Sequence, residues 1–488
     1  MTASPQLGTI ATDSEPDPRR WKALALLCTA FFMVILDSAI VVVALPSIDA
    51  DLGFSTGYLQ WALSAYLLSF GGLLLLGGRA ADLLGRRRVF MLGTGLFALA
   101  SLGCGLAGSV AALIVARIVQ GVAAAIMTPT ALSILTTTFE EGAERNKALG
   151  IWAAIGGVGA TAAWLVGGPI TDGLGWEWIF FINVPLALGV VALSPLLLRE
   201  SRARERGRRF DVAGAVTITA ALVALVYAVV EAPEAGWTDA QTLGLIGISA
   251  VLIVLFAGIE ARSAAPLVPL RVFRSRALVG GNLVLLSLGM LAFGMPFTLT
   301  QYAQGVLHYS PLEFGLASVV MPVTAALGSI TGQAIATKRG LRSITLAGMI
   351  LTGLGCLLLT QVSVGGSYLG DIFFGLLLFG PGLGAVYVAG SIASLAGVAE
   401  ADAGLASGLN NSAFQIGGAV GVAILSTVAV SHADAADPLV ALTNGYQAAF
   451  ATAIIFAALG LLAAIALLGK LRLPAAVSAA EPAAAPAD

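Results

Sequence analysis

Residues Gly78 to Arg88 read GRAADLLGRRR, and they stand between two uncharged apolar runs at residues 58–78 and 89–107. Each run is about as long as a helix needs to cross the hydrocarbon of a bilayer, so the stretch is a tight polar turn on one membrane face. Arg79 and Arg86 to Arg88 put that face in the cytoplasm, because basic residues at span ends favour that side. The side preference does not account for Asp82 with a glycine on either side, Gly78 and Gly85. A glycine permits a sharp turn, and a carboxylate among arginines can seat on the positive end of a neighbouring helix. The turn therefore has the makings of a latch that engages when one face of a bundle closes.

Working outward, the same pattern fills the chain. Of its 488 residues, 58% are hydrophobic and 11% charged, with a mean hydropathy of +0.94, whereas soluble domains run near a quarter charged. A soluble enzyme is excluded. Apolar runs lie near 23–46, 58–78, 89–107, 110–135, 148–171 and 178–198, then near 212–231, 240–259, 278–303, 313–336, 343–363, 370–395, 404–430 and 446–469. That makes fourteen spans in an all-α integral membrane protein. The weakest boundary is the third, where only Gly105, Gly108 and Ser109 interrupt the apolar run. The organisation expected is a disordered cytoplasmic tail over 1–22, six spans over 23–198 and a basic linker over 199–211. Two further spans with their loop follow over 212–276, then six more spans over 277–470 and a disordered tail over 471–488.

Charge tests the count independently. Every even-numbered exit except the twelfth is basic, including the six arginines between Arg199 and Arg209, and no odd-numbered exit holds Lys or Arg. Some odd exits are acidic, as with Asp49 and Asp51 or Glu231, Glu234 and Asp239. Both termini are thus expected in the cytoplasm; arginine far outnumbers lysine and Ala and Gly are abundant, a composition of GC-rich bacterial genomes, so the multi-pass chain is expected in a bacterial inner membrane. No basic footprint for nucleic acid is present. Cys28, Cys104 and Cys356 all lie within apolar runs, which offers neither a disulfide framework nor a metal-ligand spacing.

Of the 25 basic residues, only Arg117 falls inside a span. Asp37 lies fifteen residues past Lys22 in the first span, a helical rise of roughly 22 Å. Arg117 enters the fourth span from the opposite side to a comparable depth. An ionisable group at such depth is costly and needs a partner or a water-filled cavity. Two readings stay open: a static ion pair joining spans 1 and 4, or a proton site in which small rearrangements load and unload Asp37.

The residues that flank these groups resemble a known family. LDSAIVVVALP, Leu36 to Pro46, looks like the first-span signature of the fourteen-span drug:proton antiporters of the major facilitator superfamily, with Ala39 and Val42 where that family commonly has Thr and Asn. The stretch from Gly78 to Arg88 fits the superfamily's loop pattern at Gly78, Asp82, Gly85, Arg86 and Arg87. RIVQG, Arg117 to Gly121, matches the family's fourth-span motif, in which the arginine is taken to serve proton transfer. The fifth-span antiporter motif is present in part: Gly156, Gly159, Gly167 and Gly168 fit, while Ala163 and Trp164 stand where the family has Gly-Pro. Trp164 is expected to wedge the halves apart or to fill the cavity. GQAIATKRGLR, Gly332 to Arg342, looks like a degraded second copy of the loop, and Glu400 and Asp402 stand where they could meet Arg86 or Arg87.

The resemblance implies a major facilitator fold of two six-helix halves plus two inserted helices; spans 7 and 8 contain little polar matter and are expected to pack outside the transport path. It implies a proton-coupled antiporter that exports small lipophilic or amphipathic compounds, antibiotics among them, by alternating access. Asp37 and Arg117 would couple the proton, and the cavity wall is expected to include Tyr66, Gln120, Asn411 and Gln415, with Tyr387 and Gln301 as weaker candidates. A monomer in the lipid bilayer, with no cofactor or metal and the proton gradient as its drive, is expected. Two alternatives remain open on the residues: a lipid transporter of the same fold, and a nontransporting sensor or scaffold.

Overall fold

The computed structural model describes residues 18–54, 58–201, 211–263, 266–396, 398 and 403–469. Fourteen helices among them are long and apolar enough to cross a membrane. Span 1 is Arg20–Leu52, span 2 Trp61–Leu84, span 3 Arg86–Gly105, span 4 Val110–Thr138, span 5 Ala143–Leu174 and span 6 Trp178–Leu197. The inserted pair is span 7, Val212–Ala232, and span 8, Ala240–Arg262. Span 9 is Arg276–Gly305, span 10 Pro311–Ala336, span 11 Leu341–Leu359, span 12 Tyr368–Leu395, span 13 Gly404–Ser431 and span 14 Pro438–Leu467.

Local chemistry sets the ends. The weak boundary between spans 3 and 4 is real, because the Ser109 hydroxyl accepts the Ala112 N–H and starts span 4. Span 14 begins eight residues before the start expected at 446. The Asp437 carboxylate accepts the N–H groups of Leu439 and Val440, with Pro438 in the first turn. The reading by hydropathy passed over this polar cap. Prolines such as Pro46, Pro129 and Pro296 lie inside spans, where neighbouring helices can satisfy the freed carbonyls.

The two halves repeat one packing plan. Spans 2 and 4, 3 and 4, 1 and 5, and 3 and 6 pack together in the first half. Their counterparts eight spans later, 10 and 12, 11 and 12, 9 and 13, and 11 and 14, pack likewise. The two copies of the polar turn share a backbone device: Gly85 opens span 3 at φ 109° and Gly340 opens span 11 at φ 86°. A side chain strains this conformation. Gly85→Ala is expected to cost about 1–3 kcal/mol and to lower the melting temperature in detergent, with Gly95→Ala, at an open helical position, as the matched control.

The halves meet along two seams, span 2 against span 13 and span 5 against span 10. Span 7 lies on the first seam and touches both halves, whereas span 8 is mostly on the surface. Exposed Leu92, Leu99, Leu188 and Val254 mark the belt that faces lipid. Below, the membrane face carrying the arginine-rich turns is called the basic face, and the other the acidic face.

Candidate functional site

Asp37 and Arg117 meet. Arg117 Nη1 donates to Asp37 Oδ2 at 2.6 Å, and neither side chain has any exposed surface. Gln120 lies one helical turn beyond Arg117; its Nε2 donates to Asp37 Oδ1 at 2.8 Å and to Ser101 Oγ at 2.9 Å. Its Oε1 accepts from Arg117 Nη1 at 2.7 Å. Asn183 of span 6 completes the set by donating from Nδ2 to Asp37 Oδ1 at 3.1 Å. Three donors from two helices thus converge on one carboxylate, the arrangement a buried anion requires.

The cation is held just as closely. Arg117 Nε donates to the carbonyl of Ala62 at 2.9 Å, and the guanidinium carbon stands 4.3 Å from the centre of the Tyr66 ring. The Tyr66 hydroxyl donates to Val34 O at 3.3 Å. Among the described residues, Arg117 Nη2 is buried with no hydrogen-bond partner, as is Asn183 Oδ1. Such unspent groups within a charged cluster mark where a rearrangement gains new bonds at little cost.

Gln120 and Tyr66, expected on the cavity wall, therefore lie in the interior of the first half and are wholly buried. Asn411 donates to Ser407 O of its own helix at 3.0 Å and is half-buried. Gln415 lies at the seam of spans 2 and 13, where a Cβ on Gly71 would stand 3.0 Å from its own Cβ. The second half also presents aromatic groups: Phe414 packs on Phe293 at 5.6 Å and on Tyr387 at 5.2 Å between ring centres. Tyr387 is 40% exposed. On its helix, Gly384 abuts Ala325 of span 10 and Gly390 abuts Leu285 of span 9, so Tyr387 points between those two spans, toward the bundle interior.

The polar turn closes on itself and on the start of the connection after span 6. Asp82 Oδ1 accepts from Arg86 Nη2 at 2.8 Å and Nε at 3.0 Å. Glu200 accepts the Arg87 backbone N–H at 3.1 Å and stands 3.7 Å from Arg88 Nε. Ser201 O accepts the Arg86 N–H at 3.0 Å. Gly78 faces Pro129 of span 4, where a Cβ would be in ordinary contact at 3.4 Å. The expected partners Glu400 and Asp402 lie outside the described residues.

The glycines of span 5 serve two contacts. A Cβ at Gly156, Gly159 or Gly167 would stand 3.3, 3.2 or 2.9 Å from Phe31, Ile35 or Ile40 of span 1, with Ala163 wholly buried among them. The adjoining face meets span 10. A Cβ at Gly168 would fall 2.5 Å from Pro311 O, and one at Gly315 would fall 2.6 Å from Trp164 O. Trp164 lies edge-on to Phe314, 5.7 Å between ring centres. The indole does not hold the helices apart, because Gly168 and Gly315 bring the backbones together on either side of it. Asp172 Oδ2 then accepts the Leu312 N–H at 3.0 Å, and on the same face Gln304 Nε2 of span 9 donates to Val43 O of span 1 at 2.9 Å.

Asn183 and Glu200 were missed in the sequence. Asn183 was visible as a lone amide within the apolar run FFINVP, but Glu200 sits among arginines and gives no signal of its own.

The family model described as Major Facilitator Superfamily matches residues 27–422 and 278–487. The puromycin resistance protein pur8 of Streptomyces alboniger is 38% identical over 436 residues, 88% of this chain and 86% of that protein. The cephamycin export protein CmcT of Amycolatopsis lactamdurans is 40% identical over 409 residues, 83% of this chain and 84% of that protein. Among solved structures, the POT family transporter PepTSo superposes with a TM-score of 0.68 at 16% identity, covering 92% of this chain and 97% of that one. This last likeness is one of fold.

Proposed function

Because this chain belongs to the major facilitator superfamily, we propose that it is a drug exporter in which the proton gradient, acting at Asp37, drives small lipophilic compounds out of a bacterial cell. It is a membrane transport protein and not an enzyme. The names of its relatives, a resistance protein and an export protein for antibiotics, support the substrate class. In this reading the basic face is cytoplasmic, the chain acts as a monomer, and no bound cofactor takes part.

The observation that carries the reading is the sealed network of Asp37, Arg117, Gln120 and Asn183. It ties spans 1, 4 and 6 through one carboxylate. A proton on Asp37 cancels the charge that Arg117 pairs with and turns an acceptor into a donor. Arg117 then gains more by turning its free Nη2 to other acceptors, so the packing of span 4 on span 1 shifts with proton occupancy. Binding energy that differs between two arrangements is what couples a proton to a conformational change. The second half, with Phe293, Tyr387 and Phe414 near the interior, supplies ring contacts to a flat apolar substrate and no charge of its own at that place.

The test is uptake of a lipophilic cationic dye into proteoliposomes with an acid interior. For exchange of one proton per net charge moved, a one-unit pH gradient supports about a tenfold accumulation. Uptake is expected to collapse with a protonophore; uptake that ignores both gradient and protonophore overturns the coupling.

A further inference from the structure

A transporter made of two six-helix halves has no use for the inserted pair, yet the pair is seated on both halves. Span 7 runs along the seam of spans 2 and 13. A Cβ on Gly72 would stand 3.3 Å from Thr219 Cβ, Glu231 accepts the Tyr58 hydroxyl, and Thr427 Oγ1 donates to Val229 O at 3.0 Å. Beyond span 8, residues 266–275 form a strap that includes the short 3-10 helix Leu270–Arg274. Arg79 of span 2 donates to Pro266 O at 2.8 Å, and Glu260 accepts the Val268 N–H at 3.1 Å. Leu267, Val268 and Val272 are buried in one apolar cluster with Leu75 of span 2 and Ala406 and Leu409 of span 13. The strap therefore covers this seam on the basic face.

The two seams differ along their depth. Spans 2 and 13 touch near the acidic face, at mid-depth and toward the basic face, through Ser64 with Ala419, Gly71 with Gln415, and Leu75 with Gly408. Spans 5 and 10 touch through Trp164, Gly168 and Asp172, all in the half of span 5 nearer the acidic face. Gly157 and Gly150 lie seven and fourteen residues before Trp164, two and four turns along the same helix face. A Cβ at either would meet nothing within 4 Å. One seam is closed and sheathed along its length, and the other gapes toward the basic face.

We propose that the inserted pair and its strap make the span 2/span 13 seam a fixed hinge, about which the halves swing so that the opening and closing happens between spans 5 and 10. Parting the sheathed seam would expose apolar surface and break the ties of span 7 and the strap, whereas Gly157 and Gly150 on the gaping seam meet no neighbouring helix among the described residues. Resting on the exporter reading, the same geometry places the lateral entrance for a membrane-dissolved compound between spans 5 and 10 on the basic face.

The experiment uses the full chain with Cys28, Cys104 and Cys356 replaced by Ala. Leu75 Cγ stands 3.6 Å from a Cβ built on Gly408, so Leu75→Cys with Gly408→Cys has the reach to form a disulfide. The oxidised pair is expected to keep most of its dye transport. Gly157→Trp places bulk where the gaping seam must close and is expected to lose transport roughly tenfold or more, while Gly157→Ala keeps it and both melt like the parent. Three results overturn the hinge: oxidation that stops transport with recovery on reduction, a pair that does not cross-link because the helices part, or a Gly157→Trp variant that transports like Gly157→Ala. A parent that moves no dye counts against the exporter reading alone. The hinge is then read from labelling of Gly157→Cys by an impermeant maleimide, which must change with pH equally in the oxidised and reduced proteins; a cross-link that freezes the labelling overturns it.

Discussion

Asp37→Asn is expected to abolish accumulation driven by the pH gradient while leaving the protein folded and able to bind substrate. The substitution preserves shape and removes the titratable group. In the wild type Asp37 accepts from Arg117, Gln120 and Asn183 at 2.6, 2.8 and 3.1 Å. An Asn amide offers one oxygen to these donors and turns its nitrogen on the others, close to the protonated acid in charge and hydrogen bonding. The variant is thus held as though permanently loaded. In proteoliposomes with a one-unit acid-inside gradient, the wild type should approach about tenfold accumulation and the variant should stay near onefold. Exchange of labelled for unlabelled substrate, which needs no net proton movement, should survive. Asp37→Asn uptake with an unchanged dependence on the gradient would remove Asp37 from the coupling and leave the pair as a static brace.

Much of this was legible because the sequence carries membrane constraints at low resolution. Basic residues appear at alternate exits, so direction could be read without structure, and Asp37 and Arg117 stood out as the two charges with no solvent to hold them. Depth from the span ends brought them to one level, but hydropathy does not tell which face of a helix meets a cavity and which meets a neighbouring helix. Gln120 and Tyr66 were set on the cavity wall for that reason, and the structure turns both inward against Arg117. Trp164 was harder still. Its effect depends on Gly168 and on Gly315, about 150 residues away, whose missing side chains let the backbones close around the indole. Span 7 was expected outside the transport path because it carries little polar matter, and nothing in its composition shows that both of its flanks are packed. The ties that place it, Thr427 to Val229 O and Tyr58 to Glu231, join residues far apart in the chain.

Arg117→Met should destabilise the fold, as should Asp37→Asn by leaving the guanidinium without its counter-ion, and the double variant separates a brace from a proton site. Methionine fills much of the same space among Tyr66 and Phe180 but leaves Asp37 with two neutral donors and no counter-ion. Removing one partner of a buried ion pair costs about 3–5 kcal/mol, since the remaining charge stays out of water. Thermal melting in detergent reads the loss. The double variant Asp37→Asn with Arg117→Met removes both charges, and it should regain most of the stability that Arg117→Met alone forfeits, because an apolar replacement of a whole buried pair is often close to neutral. A melting point for Arg117→Met equal to the wild type would show that the 2.6 Å contact carries no net energy in the folded protein. Transport by the double variant then decides the role. A brace needs only the fold, so restored stability would bring back gradient-driven uptake. A proton site needs the carboxylate itself, so the double variant should be stable, bind and exchange substrate, and remain blind to the gradient.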